Sequence, residues 1–119
     1  MTPVISQKKQ RIGLFGGTFN PIHFGHLRLA EELYETFQLD KVLFIPAGIP
    51  PHRAIPSVSS QNRAEMIALA IEDQAHFELS SYEIKKETPS YTVETLEYFR
   101  TIYPSETTFF LFLGMDAFL

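Results

Sequence analysis

Residues 11–46 read RIGLFGGTFNPIHFGHLRLAEELYETFQLDKVLFIP, and this stretch decides the fold. It opens on a short apolar run, RIGLFG (11–16), that meets a second glycine, the pattern of a buried strand leading into a turn. GHLRLAEELYETFQ (25–38) then sets Leu27, Ala30, Leu33, Tyr34 and Phe37 on one face at helical spacing. The glutamates fall largely opposite, so an amphipathic helix is expected. KVLFIP (41–46) is a second apolar run, closed by Pro46. Strand, helix and strand within one stretch make a βαβ unit, whose crossover is expected to be right-handed.

The alternation continues outward. AGIPPHRAIPSVSS (47–60) holds Pro50, Pro51 and Pro56 and shows no period, so it is a loop, of a length that often goes with function or motion. A helix over 61–73 turns Met66, Ile67, Ala70 and Ile71 inward, and HFELS (76–80) is a strand. A connection over 81–91, broken by Pro89, leads to a helix over 92–103 that packs Val93, Leu96, Phe99 and Ile102. TTFFLFLG (107–114) is a strongly apolar strand, and Gly114-Met115-Asp116 opens a further helix. The pattern predicts an α/β fold, a Rossmann-like doubly wound parallel sheet covered on both faces. The domain is expected over 11–119, behind an N-terminal extension over 1–10. Few residues follow the last strand, so a C-terminally truncated domain is expected. Its uncovered apolar strand is expected to drive self-association into a homo-oligomer.

Composition narrows the function. The chain has 119 residues, 45% hydrophobic and 20% charged, and no Cys, which excludes disulfides and thiolate metal sites. No apolar run approaches the roughly 18 residues of a membrane span. The N-terminus, MTPVISQKKQR, is polar and basic where an export signal is apolar, so a cytoplasmic protein without a membrane partner is expected. A net charge of −4 argues against nucleic acid as a partner. Arg53 and Arg63 flank the Pro-rich loop, a local basic character that suits a small anionic ligand. On charge alone, a solvated mixture of both signs explains the same residues.

The chemistry concentrates in Gly16-Gly17-Thr18-Phe19-Asn20-Pro21-Ile22-His23-Phe24-Gly25-His26, which joins the first strand to the first helix. Open α/β sheets bind ligands at the carboxyl ends of their strands. Gly16 and Gly17 permit close approach of backbone to an anion. A helix starting near Gly25 aims unpaired N–H groups at the same place. Thr18 adds a hydroxyl, and His23 and His26 add imidazoles, completing a phosphate cradle. Singly, either histidine is more often a packed or capping residue, and a lone Gly-Gly is more often a tight turn. The glycine spacing fits neither G-x-G-x-x-G nor a P-loop, which disfavours a hydride-transferring dehydrogenase. Two histidines without further ligands disfavour zinc, and no protein-held metal is expected.

GGTFNPIHFGH resembles the signature of the nucleotidylyltransferase superfamily, whose H-x-G-H element is here His23-Phe24-Gly25-His26. Within it, the chain is most similar to the bacterial nicotinate-nucleotide adenylyltransferases. Further stretches agree in order: Ile45-Pro46-Ala47 to Pro50-Pro51-His52-Arg53, Asn62-Arg63-Ala64-Glu65-Met66, Pro89-Ser90-Tyr91-Thr92 with Thr95-Leu96, and Gly114-Met115-Asp116.

The resemblance implies direct transfer of the adenylyl group of ATP to the phosphate of nicotinate mononucleotide, giving nicotinate adenine dinucleotide and pyrophosphate. It implies Mg²⁺ held mainly through the ATP phosphates. His23, His26 and Thr18 would act at the phosphates, His26 at the α-phosphoryl group. Gly16, Gly17, Phe19, Gly25, Arg53 and Asp116 would complete the ATP site, Asp116 at a ribose. His52, Arg63, Ser90, Tyr91 and Thr92 would meet nicotinate mononucleotide, Thr92 at its carboxylate. Read without the family, His52 and Arg53 belong to a surface loop, Arg63 to a surface ion pair, Ser90 to Thr92 to a helix cap, and Asp116 to an N-cap. His76 matches nothing and is expected at the surface, and the phenylalanines are expected in the core. The family's second signature, a run of the I-S-x-T-x-I-R type, has no counterpart here, so a portion of an active site is expected. The alternatives are a sibling adenylyl- or cytidylyltransferase with another phosphorylated acceptor, and a nucleotide-binding fragment without turnover.

Overall fold

A computed structural model describes residues 9–48, 58–86, 88–89 and 91–113. Seven elements alternate: β1 (Arg11–Gly17), α1 (Phe24–Thr36), β2 (Lys41–Pro46), α2 (Ser60–Ile71), β3 (Phe77–Leu79), α3 (Thr92–Ile102) and β4 (Thr108–Leu113). The strands form one parallel sheet in the order β3-β2-β1-β4. The expected doubly wound α/β architecture is therefore observed.

The order explains which face each helix takes. From β1 the chain steps to β2 and β3 in one direction, then crosses back past β1 to place β4 on its other side. Right-handed crossovers in opposite directions put their helices on opposite faces. Accordingly Phe15, Val42, Phe44 and Phe77 form one core with Ala30 of α1 and with Ile67 and Ile71 of α2. Ile12, Leu14, Leu43 and Ile45 form the second core with Phe99 of α3. Gly13 lies on the first face because a Cβ there would stand 2.8 Å from the Leu39 Cδ1. Winding reverses between β1 and β4, the place where open α/β sheets usually bind ligands.

The structure corrects several local expectations. β1 runs through Gly17, so both glycines belong to the strand and not to a turn. Gly17 pairs with Pro46, and its carbonyl accepts the Ala47 N–H at 2.9 Å. α2 begins one residue early because the Ser59 hydroxyl caps it, accepting the Asn62 N–H at 3.2 Å. Its buried face carries Arg63, Ala64, Ile67 and Ile71, whereas Met66 is exposed. In α3 the buried residues are Thr95 and Phe99, while Val93 and Ile102 face out. A three- to four-residue apolar period does not say which of two adjacent stripes meets a sheet, and a polar residue with an internal partner can hold the inner stripe. His76 is not a plain surface residue: its ring stacks on Tyr34 at 3.8 Å and its Nε2 lies 3.2 Å from a Glu31 carboxylate oxygen. Phe24 departs from the expected core role with 88% exposure.

No helix among the described residues is long and apolar enough to cross a membrane. Leu111 and Leu113 of β4 stay partly exposed on the face that α3 covers.

Candidate active site

The loop after β1 is shaped first by packing. Phe19 has φ 50°, a left-handed conformation that disfavours a bulky side chain by about 1–2 kcal/mol. Its ring is fully buried, 5.3 Å from Phe15, 5.8 Å from Phe44 and 4.9 Å from His26 between centroids. Burying such a ring gains about 1.5–3 kcal/mol, which offsets the backbone cost and pins the loop. Phe19 therefore contributes as an anchor beneath the cradle.

The two histidines then set the start of α1. His23 is the N-cap, and its Nδ1 accepts the Gly25 N–H at 3.0 Å. His26, three residues on, accepts the His23 N–H on its own Nδ1 at 3.1 Å. This is a reciprocal capping box built from two imidazoles where Ser/Thr and Glu/Gln are usual. The rings stack at 3.9 Å, and His26 meets Phe15 and Phe19 edge-on. A nitrogen that accepts an N–H carries no proton, so in each neutral ring the proton resides on Nε2. The capping reading and the catalytic reading of these histidines are compatible. The backbone takes Nδ1, and Nε2 is the donating nitrogen.

Gly25 is required by the same geometry. A Cβ at this position would lie 2.8 Å from the His23 Cε1 and 3.0 Å from its Nδ1. Gly25→Ala is expected to push the His23 ring out of its cap, costing about 1 kcal/mol of stability and weakening nucleotide binding. Thermal melting and calorimetric titration of ATP on the same variant would check both.

Behind the cradle lies Arg63, 1% exposed. Its Nη1 donates to the Thr18 carbonyl and to the Ala47 carbonyl, both at 2.7 Å, and its Nε donates to the Val58 carbonyl at 3.0 Å. Burial pulls its pKa below the ordinary guanidinium value. One side chain thus ties the β1–α1 loop, the end of β2 and the entry to α2. The Asn20 side chain adds a link, accepting the Val58 N–H at 3.1 Å. The charge of Arg63 beside the Pro-rich loop, and the family resemblance, point it at an anionic ligand. The structure instead places it against three carbonyls that need a donor, behind the cradle. Thr18 is buried as well.

On the other face, a narrow crevice opens between the ends of β1 and β4 and the start of α3, lined by Gly16, Glu83, Thr92, Thr95 and Leu113 among others. A Cβ on Gly16 would stand 3.4 Å from the Leu113 Cδ2, so a side chain here would touch the crevice wall. Tyr91, half exposed, is the N-cap of α3 and makes no side-chain capping bond. Glu83, which the sequence reading did not single out, accepts the Thr95 hydroxyl at 2.7 Å. Burial pushes the Glu83 carboxyl up, against the hydrogen bond from Thr95 and the charge of Lys86, which lower it. A group whose pKa rises on folding stabilises fully below its unfolded value and loses that contribution as pH climbs through the folded one. Glu83→Gln is therefore expected to gain stability relative to the unchanged chain as pH rises from about 4 towards neutrality. Melting curves across that range would show the gap opening, and a gap that closes with rising pH would contradict it.

The structure thus brings Gly16, Gly17, Thr18, Phe19, His23, Gly25 and His26 together around the end of β1 and places Tyr91 and Thr92 at the start of α3. His52, Arg53, Ser90, Asp116 and the helix expected from Gly114 lie outside the described residues. Among the described residues, no three His, Asp or Glu side chains gather as they would around a metal ion.

A family model described as cytidylyltransferase-like matches residues 14–119. The chain belongs to the cytidylyltransferase-like family. Relatives of this cytidylyltransferase-like chain include the probable nicotinate-nucleotide adenylyltransferase of Dechloromonas aromatica, 51% identical over 90% of this chain and 49% of the relative. That of Hydrogenovibrio crunogenus is 51% identical over 94% of this chain and 53% of the relative. The chain spans about half the length of these curated relatives. Among solved structures, nicotinic acid mononucleotide adenylyltransferase of Plasmodium falciparum, complexed with NaAD, matches with a TM-score of 0.68. The match covers 89% of this chain and 51% of the other at 16% identity, a likeness of fold.

Proposed function

We propose that this chain carries the adenylyl-transfer half-site of a nicotinate-nucleotide adenylyltransferase. A phosphate oxygen of nicotinate mononucleotide attacks the α-phosphorus of ATP. The bond from that phosphorus to the oxygen bridging the α- and β-phosphates breaks, and pyrophosphate leaves. Such a reaction needs positioning and charge neutralisation more than covalent chemistry. The observation that carries the reading is the histidine pair at the winding reversal, with each Nδ1 committed to the backbone and each Nε2 a donor.

In this reading the Nε2–H of His26 meets the α-phosphoryl oxygens and that of His23 the departing phosphates, with Thr18 and the backbone of Gly16, Gly17 and Gly25 beside them. The start of α3, with Ser90, Tyr91 and Thr92, reads the nicotinate carboxylate. His52 and Arg53 meet phosphate, and Asp116 meets a ribose. The described polar groups of the cradle are imidazoles, backbone N–H groups and the Thr18 hydroxyl, with no carboxylate oxygen among them. They do not fit a protein-held Mg²⁺, so the ion enters with the triphosphate as part of the substrate. The relatives' names support the acceptor.

The test is pyrophosphate release from ATP and Mg²⁺ with and without nicotinate mononucleotide. Release that depends on this acceptor supports the proposal. Release with a different phosphorylated acceptor supports a sibling transferase, and ATP binding without release supports the fragment reading. Absence of both binding and release overturns the phosphate cradle.

A further inference from the structure

The segment after β3 carries a carboxylate that the proposed chemistry does not use. Glu83 accepts the Thr95 hydroxyl at 2.7 Å, shorter than the 3.3 Å from that hydroxyl to the Tyr91 carbonyl in its own helix. Thr95 is nearly fully buried in the first turns of α3. The backbone of Glu83 is equally committed. A Cβ on Gly48, just past the end of β2, would collide with the Glu83 carbonyl oxygen. Ser80, three residues earlier, continues the sheet by donating its N–H to the Phe44 carbonyl at 2.8 Å. Glu83 therefore stands between the end of β2 and the start of α3, beside the end of β1.

We propose that Glu83 is a positioning residue of the acceptor pocket: through Thr95, its carboxylate sets where the first turn of α3 stands relative to the ends of β1 and β2. The inference rests on the reading that α3 receives the nicotinate group. A partly buried carboxylate carries a desolvation cost that its bonds must offset. Here a charge-assisted bond, shorter and stronger than a neutral one, fixes the rotation of a helix start. Lys86 is the cation whose charge acts on Glu83. It pairs with Glu94 at 3.3 Å and lies 5.6 Å from the Tyr82 ring centroid. Tyr82 in turn stacks on Tyr98 at 4.0 Å. These two ties hold the segment to α3 independently, so removing the Glu83 carboxylate is expected to loosen the first turn around Thr95 without releasing the helix.

The experiment titrates nicotinate mononucleotide and, separately, ATP into the unchanged chain and into Glu83→Ala, Glu83→Gln and Thr95→Val, with amide hydrogen exchange followed at residues 92–95. Glu83→Ala and Thr95→Val are expected to weaken the mononucleotide about tenfold or more, to leave ATP unmoved and to speed exchange at the start of α3. Glu83→Gln, which keeps an acceptor oxygen but not the charge, is expected to fall between the unchanged chain and Glu83→Ala. Unchanged mononucleotide affinity in Glu83→Ala overturns the inference while leaving the acceptor reading intact. Equal losses for both ligands also overturn it, since they mark a general structural role. Failure of the unchanged chain to bind the mononucleotide overturns the acceptor reading and the inference together.

Discussion

His26→Asn is expected to slow acceptor-dependent pyrophosphate release by about 10²–10³-fold, the usual loss when one preorganised donor to a developing oxyanion is removed. It is expected to leave stability near that of the unchanged chain. Asparagine places its amide oxygen near the position of Nδ1, so it still accepts the His23 N–H, while nothing replaces the Nε2–H. His26→Gln inverts the pair of effects. Its amide nitrogen reaches the position of Nε2, but its oxygen no longer closes the cap, so activity survives in part and the start of α1 loses about 1 kcal/mol. Steady-state kinetics and thermal melting on the two variants separate the roles. If both variants lose activity and stability in parallel, the division of labour between the two ring nitrogens is wrong.

The second large effect is expected at Arg63. Arg63→Met keeps the length of the apolar stem and removes the donors to the carbonyls of Thr18, Ala47 and Val58. Leaving three carbonyls without that donor, at about 1 kcal/mol or more each, predicts a loss of about 3 kcal/mol or more in stability. A shift of this size is read directly from the midpoint of urea unfolding. Arg63→Lys is expected to recover part of it, because an ammonium supplies donors without the planar fork that spans separated acceptors. Hydrogen exchange around residues 17–20 and 58–60 should quicken in the methionine variant even well below its unfolding midpoint. If the methionine variant unfolds where the unchanged chain does, the three bonds contribute nothing net.

Both effects bear on what a sequence discloses. The strands and helices were legible because each is an apolar run or an apolar stripe whose period matches its geometry, as in residues 11–17 and 41–46. The switch from turn to strand at Gly16 and Gly17 was not, since glycine signals freedom and the pairing with Pro46 that uses it lies far along the chain. The cradle was legible as a place, because glycines, a helix start and two histidines fall within eleven residues. The particular use of Nδ1 was not, since it depends on the entry angle that Phe19 sets from the core. Arg63 illustrates the remaining gap. A charge reads as surface chemistry until the chain folds around it, and the three carbonyls it serves come from three separate segments. Glu83 was invisible for a similar reason: Thr95 and Gly48 give it meaning, and neither is adjacent in sequence.

The neighbour relations of β1 carry a consequence for how the chain is made. β1 begins at Arg11, while β4, which pairs with it from Arg11 to Gly16, begins at Thr108. On a ribosome adding roughly 5–20 residues per second, the first strand waits roughly 5–20 s for that partner to be synthesised. During that interval the edge beside the cradle has open N–H and C=O groups, a template for any other extended segment nearby. The βαβ unit of residues 11–46 is complete long before this, so α1 and its paired imidazoles assemble early. The crevice between β1, β4 and α3 forms only when the last strand docks. Chains ending before Thr108 should therefore lack protection from hydrogen exchange along the β4 edge of β1, and chains extended past Leu113 should gain it.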